Sequence, residues 1–259
     1  MEKTPLEDWI VEKTNIERNR EALEEYQVKK IRETIEYAKS RSSFYRERLR
    51  GIEADEIKRM SDIKKIPFTY PEDIKNNCFS FLCVSQRDIQ RIITINTSGT
   101  SGDEKRVFFN GEDIEGIIDF FKHGMSCLTN KNDRVLVLLP GDSFASIGDL
   151  LKKALALSVR SCITQGMLRD VGETVSRILN HDINCIVGLP TQILHLARTN
   201  EEIFKNKIEK VLLCSDYAPQ SIVNTLSNDY NCRVFIHYGM SEMGYGGGVL
   251  CGALKGYHL

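Results

Sequence analysis

The pattern of hydrophobic and polar positions changes character partway along the chain. Between residues 17 and 40, Glu, Arg and Lys dominate, while Val28, Ile31, Ile35 and Ala38 recur at the three-and-four spacing that lines one side of a helix. This spacing predicts an amphipathic outer helix with a solvated charged face. Further on, RSSFYRERL is aromatic and basic, and SDIKKIPFTYPEDI carries Pro67 and Pro71. Proline lacks the amide donor that a helix interior needs, so these segments predict a helix end, an extended stretch and a new helix capped near Thr69.

From about residue 91, short runs rich in Ile, Val and Leu take over: RIITIN, RVLVLLP, VRSCI, NCIVGLP, KVLLC and CRVFIHYG, separated by longer amphipathic stretches. Strands that are apolar at every position are buried on both faces, which predicts a parallel or mixed sheet with helices on either side. The expected fold class is therefore α/β. The expected organisation is a helical amino-terminal region over residues 1–90, packed on an α/β core over residues 91–259. No internal repeat or low-complexity tract interrupts it. In such sheets ligands bind where loops leave the carboxyl ends of the strands, so those loops are where chemistry is expected.

Composition narrows the function classes. The 259 residues are 41% hydrophobic and 27% charged, the profile of a folded globular chain. Lys and Arg number 35 against 36 Asp and Glu, a formal charge of -1, so no basic field draws in nucleic acid or anionic lipid. The longest apolar run, Val135 to Leu139, is far short of the ~20 residues of a membrane helix, and the polar, acidic amino terminus is unlike a leader. A cytoplasmic protein with neither nucleic-acid nor membrane partners is expected. The eight cysteines include no CxxC pair and several fall in strand-like runs, which favours buried reduced thiols over disulfides.

Two loops carry candidate chemistry. The first, TSGTSGDEKR over residues 97–106, directly follows RIITIN. Glycines let backbone N–H groups converge on an anion, and hydroxyls and an ammonium add donors, so this composition suits a phosphate cradle. It is not a Walker loop, because Glu104 stands where the second Gly is required and Lys105 is followed by Arg106. Nor is it a nucleophile elbow around Ser101, since Asp103 occupies the last Gly position. GGGVLCG, from Gly246, likewise has Cys251 where a dinucleotide fingerprint needs Gly. Taken alone, the first loop also matches an ordinary surface turn. The second, HYGMSEMGYGGG over residues 237–248, follows CRVFI and offers Tyr238 to stack on a base, Ser241 to meet a phosphate and Glu242 to hold Mg²⁺.

Together, in this order and about 140 residues apart, the two loops resemble the adenylate-forming ligase superfamily, and within it the phenylacetate–coenzyme A ligase-like branch. Its phosphate loop reads roughly TSGTTGxPK. Thr97, Ser98, Gly99, Thr100, Gly102 and Lys105 match it, Ser101 replaces Thr and Glu104 replaces Pro. Its YGxTE pattern is met by Tyr238, Gly239 and Glu242, with Ser241 for Thr. FYRERL with SDIKKIPFTYPEDI is similar to the branch's amino-terminal region, SDYAPQSI (215–222) to its adenine-side loop, and VGLPT (187–191) to the loop bordering the acyl pocket.

The resemblance implies activation of a carboxylic acid by ATP as an acyl-adenylate, followed by transfer to coenzyme A. It implies that the loop through Lys105 holds the β- and γ-phosphates, that Ser241 contacts the α-phosphate, and that Glu242 binds Mg²⁺. Tyr238 and Gly239 would lie on one side of adenine and Ser215, Asp216, Tyr217, Ala218 and Pro219 on the other. The acid is an aryl or other acyl acid on this reading. Superfamily members continue past YGxTE into a strand with a ribose-binding Asp, a hinge and a mobile domain with a catalytic Lys, whereas this sequence stops at Leu259. An amino-terminal portion of a ligase is therefore expected, one that binds Mg²⁺–ATP weakly, catalyses poorly or not at all by itself, and self-associates, for instance as a homodimer. The alternatives are a non-catalytic nucleotide- or acyl-binding module and an acyl-protein synthetase-like adenylating protein. A separate constellation, Cys232, His237, Cys251 and His258, has the ligand types of a tetrahedral structural Zn²⁺ site.

Overall fold

The computed structural model describes residues 5–96, 104–250 and 257–258. The chain forms two compact units, one of residues 8–111 and one of residues 112–259 together with 1–7.

In the first unit, α1 (Pro5–Thr14) leads into the long α2 (Arg20–Arg41), followed by α3 (Ser43–Arg48) and α4 (Pro71–Asn76). The start of α2 is fixed by Asn19, whose Oδ1 accepts the Ala22 N–H at 2.8 Å. Val28 and Ile35 on its predicted stripe are buried, and Ile35 joins Leu49, Ala54 and Ile57 in a small core. Ser42 ends α2 and caps α3, and its hydroxyl donates to the Ser80 carbonyl at 2.7 Å. Phe44 stacks on Phe81 with ring centres 4.0 Å apart, which ties α3 to the 3₁₀ turn over Cys78–Phe81. The cap of α4 falls one residue beyond the expected Thr69: the Asp73 carboxylate accepts the Tyr70 N–H at 2.8 Å, and Pro71 opens the helix.

The RIITIN run is not a strand of the main sheet. It lies in β1 (Ile89–Asn96), which pairs antiparallel with β2 (Glu104–Asn110) as a separate two-stranded sheet within the helical unit. The unit boundary therefore falls at residue 111 rather than at 90. Apolar content marks a strand but does not name its partner, and that is why the sequence alone misplaces this one.

The second unit is built on β3 (Arg134–Leu138), β4 (Ser161–Thr164), β5 (Cys185–Gly188), β6 (Lys210–Leu213), β7 (Arg233–Tyr238), β8 (Gly248–Leu250) and β9 (Tyr257–His258). They lie in the order β4-β3-β5-β6-β7-β8-β9, parallel from β4 to β7, with β8 and β9 added antiparallel. The helices are α5 (Gly111–Met125), α6 (Ile147–Leu155), α7 (Val171–Asn180), α8 (Pro190–Thr199), α9 (Glu201–Lys207) and α10 (Gln220–Asn228). On one face Leu136, Ile186, Val211 and Val234 lie in register and pack with Ile178, Ile193 and Leu226 of α7, α8 and α10. On the other, Val137, Val187, Leu212 and Phe235 are in register under α5 and α6. Strand order reverses at β3, since β3 leads outward to β4 while β5, β6 and β7 progress the other way. Ligand crevices form at the carboxyl side of such a switch.

The amino ends of the strands are tied by a buried ion pair. Lys210 Nζ donates to both Asp133 oxygens at 2.9 and 2.8 Å, Asn184 Nδ2 donates to Asp133 Oδ1 at 2.9 Å, and Asn184 Oδ1 accepts the Arg134 N–H at 2.9 Å. Burial pushes the Asp133 carboxyl up, but Lys210, the Asn130 N–H and Asn184 outweigh it and leave it below the usual carboxylate value. Among the described residues no helix is long and apolar enough to cross a membrane.

Candidate functional site

The carboxyl ends of β6 and β7, adjacent parallel strands, release two of the loops singled out in the sequence. After β6 the chain passes through buried Cys214 to Ser215, whose backbone takes a left-handed φ of 64°. Asp216 then accepts the Tyr217 N–H at 2.7 Å, and Pro219 stands at the start of α10. Tyr217 is 79% exposed. After β7 the chain makes a hairpin turn to β8, with Tyr238 opposite Gly248. Tyr238 is 47% exposed, and Ser241 and Glu242 lie half-buried in a one-turn 3₁₀ helix, Ser241–Met243.

The hairpin turn is locked by its own backbone. The Met243 and Tyr245 N–H groups both reach the Met240 carbonyl at 3.0 Å, and Gly244 and Tyr245 take left-handed φ values of 66° and 63°. For a tyrosine that conformation is strained, and strain of this kind gathers where a segment is held for a purpose. Gly239 is required by close approach, since a Cβ there would lie 2.0 Å from the Tyr245 carbonyl oxygen and 2.5 Å from His237 Cε1. Gly246 is similarly pressed on the Phe120 ring, 2.7 Å from where its Cβ would stand.

Beneath these loops, on the α5 and α6 face of the sheet, lies an apolar cavity of about 40 Å³. Phe120, Phe121 and Met125 of α5 line it with Leu151 of α6, and the sheet contributes Val187, Leu212, Cys214 and His237. The His237 ring meets Phe121 edge-on at 6.3 Å between centres, and its buried Nε2 has no partner among the described residues. Burial pushes its pKa down to about 4, so the ring is neutral at physiological pH. The Cys214 thiol is likewise pushed up to about 12 by burial and faces the Gly188 carbonyl at 3.8 Å, so it is an inert wall rather than a nucleophile.

Of the sequence-predicted residues, Ser215 to Pro219 and Tyr238, Gly239, Ser241 and Glu242 thus follow or end two adjacent strands at the carboxyl end of the sheet. Thr97, Ser98, Gly99, Thr100, Ser101 and Gly102 lie outside the described residues, and Lys105 is the second residue of β2, in the first unit. The Zn²⁺ quartet does not assemble from its described members. Cys232 is buried before β7 and directs its thiol to the Ile208 carbonyl at 3.3 Å, while His237 stands five residues on, roughly 16 Å at the rise of an extended strand. The Cys251 residue and the His258 side chain lie outside the described residues. Nothing in the sequence marks the cavity walls contributed by α5, because Phe120, Phe121 and Met125 read as an ordinary apolar helix face.

No protein-family model and no curated protein matches the chain. Solved structures share its fold. The chain is similar to 2-hydroxyisobutyryl-CoA ligase in complex with 2-HIB-AMP and CoA in the thioesterification state, with a TM-score of 0.75 and 17% identity over 90% of this chain and 54% of that one. An open conformation of that ligase, also with 2-HIB-AMP and CoA, matches with a TM-score of 0.72 and 14% identity over 90% of this chain and 59% of that one. This chain therefore has the α/β fold found in the amino-terminal part of a CoA ligase, and spans between half and three fifths of the length of these neighbours.

Proposed function

We propose that the chain activates a carboxylic acid with ATP, forming an acyl-adenylate for transfer to coenzyme A, in the manner of the phenylacetate–CoA ligase-like branch that its motifs resemble. The observation that carries this reading is the pair of exposed tyrosines, Tyr217 on the loop leaving β6 and Tyr238 at the carboxyl end of the adjacent parallel β7, beside an apolar cavity. What sets these two apart from the other exposed rings is their place at the carboxyl ends of neighbouring parallel strands, where two aromatic faces fit a planar base. The neighbours of the same fold hold an acyl-adenylate and CoA.

On this reading Tyr217 and Tyr238 flank adenine, Ser241 donates to the α-phosphate and the acid's tail enters the cavity. Motif grounds alone assign the β- and γ-phosphates to residues 98–105. Among the described residues no three His, Cys, Asp or Glu side chains cluster as a metal cage. Glu242 alone still fits Mg²⁺, which keeps several waters and shares its sites with substrate phosphates. Bound there, the ion would neutralise charge on the phosphates. The protein's part is to position the acid's carboxylate in line with the α-phosphorus and to supply fixed donors around it.

Calorimetric titration with Mg²⁺–ATP tests the reading. Tyr238→Ala should weaken binding by about 1–3 kcal/mol, the range for loss of one base–aromatic stack. Unchanged affinity in a Tyr217→Ala/Tyr238→Ala double variant would remove its main support.

A further inference from the structure

We infer that the acid is small, with a tail of only a few carbon atoms, and that the cavity rejects an aromatic ring. The inference rests on the reading of this cavity as the acid's pocket and goes beyond it to substrate size. A cavity that binds benzene measures about 150 Å³, whereas the space here is about 40 Å³, roughly a quarter of that. The resemblance in sequence pointed equally to an aryl acid, and the geometry decides against it.

The walls cannot yield without cost. Val187 and Leu212 belong to the interior of the sheet, and Phe121, Met125 and Leu151 are each no more than 7% exposed. They sit on regular strands and helices, so on these sides admitting a ring means displacing packed core, while Phe120 and Ile147, which also line the space, are half-buried. Shape therefore sets selectivity here, since nothing charged lines the space and the neutral His237 ring is its most polar wall.

The test uses sulfamoyl adenosine carrying no acyl group, an isobutyryl group or a benzoyl group, as stable mimics of the adenylate. Binding to the full 259-residue chain is measured by calorimetry, so no turnover is needed. The isobutyryl compound should bind at least tenfold more tightly than the benzoyl one. Phe121→Ala should gain at least tenfold for the benzoyl compound, and Met125→Ala should do the same if the first variant does not fold. Benzoyl binding as tight as isobutyryl in the unaltered chain overturns the size inference while leaving the nucleotide site intact. Failure of the unacylated compound to bind instead overturns the nucleotide reading beneath it, and the inference falls with it.

Discussion

His237 sits one residue from the end of β7, with its imidazole edge against Phe121 and Nε2 sealed from solvent. Its pKa of about 4 in the folded chain compares with about 6.5 in an unfolded one. Between those values the unfolded state binds a proton that the folded state refuses, so stability present at neutral pH is lost as pH falls from 6.5 toward 4. The slope from this one group reaches about 1.4 kcal/mol per pH unit. Urea midpoints across that window should fall less steeply for His237→Phe than for the unaltered chain, and parallel curves would show that the ring is not buried as described. Two residues on, Gly239→Ala places a methyl carbon against a backbone oxygen that cannot move aside. Overpacking of this sort costs about 1–3 kcal/mol, and Mg²⁺–ATP affinity should drop with it, because the 241–243 turn is held by the same backbone. Neither residue's local role is written in the sequence. His237 reads there as a metal ligand because only five histidines exist and one cysteine lies five positions away. Alternation along the strand-like CRVFIHYG already sets positions 232 and 237 on opposite faces, and the structure, with Cys232 just before β7 and His237 within it, keeps them apart.

At the level of elements, the four runs RVLVL, CIVG, KVLL and RVFIHY are legible because strands buried on both faces leave almost no polar positions to confuse them. Lys210 is the informative exception. A lysine opening a buried strand is tolerated because Asp133, 77 positions earlier, meets it with two hydrogen bonds. No short-range pattern announces such a long-range pair. Asp133→Ala leaves the ammonium buried and unpaired and should cost about 3–5 kcal/mol, whereas Asp133→Leu with Lys210→Met should recover most of that loss. Denaturant midpoints of the single and double variants decide it, and a single variant as stable as the double would place the pair outside the core. Because partners hold the Asp133 carboxyl below its ordinary value, its contribution is intact at neutral pH and disappears only in acid, as pH falls through that lowered value. The β1–β2 hairpin marks the opposite limit of legibility: its apolar content marks strands, but only pairing shows that they stand apart from the sheet.

At the scale of the whole molecule, the fold and the chemistry make separable demands. These 259 residues span 54% of the ligase whose fold they share, yet the adjacent loops after β6 and β7 lie entirely within one unit. Binding is therefore expected to be testable on these residues alone, through linkage: a ligand that binds only the folded state stabilises it by about 2.7 kcal/mol at a hundredfold excess over Kd. For a chain of this size that shift corresponds to a rise in Tm of about 5–10 °C. On the proposed function, these residues should show a Mg²⁺–ATP-dependent rise in Tm. Glu242→Ala should abolish the Mg²⁺ dependence of the rise while leaving a smaller shift with ATP alone, since the tyrosine contacts remain. A rise in Tm of equal size with and without Mg²⁺ in the unaltered chain would take the metal away from Glu242, and the absence of any rise with ATP would take the nucleotide away from this end of the sheet.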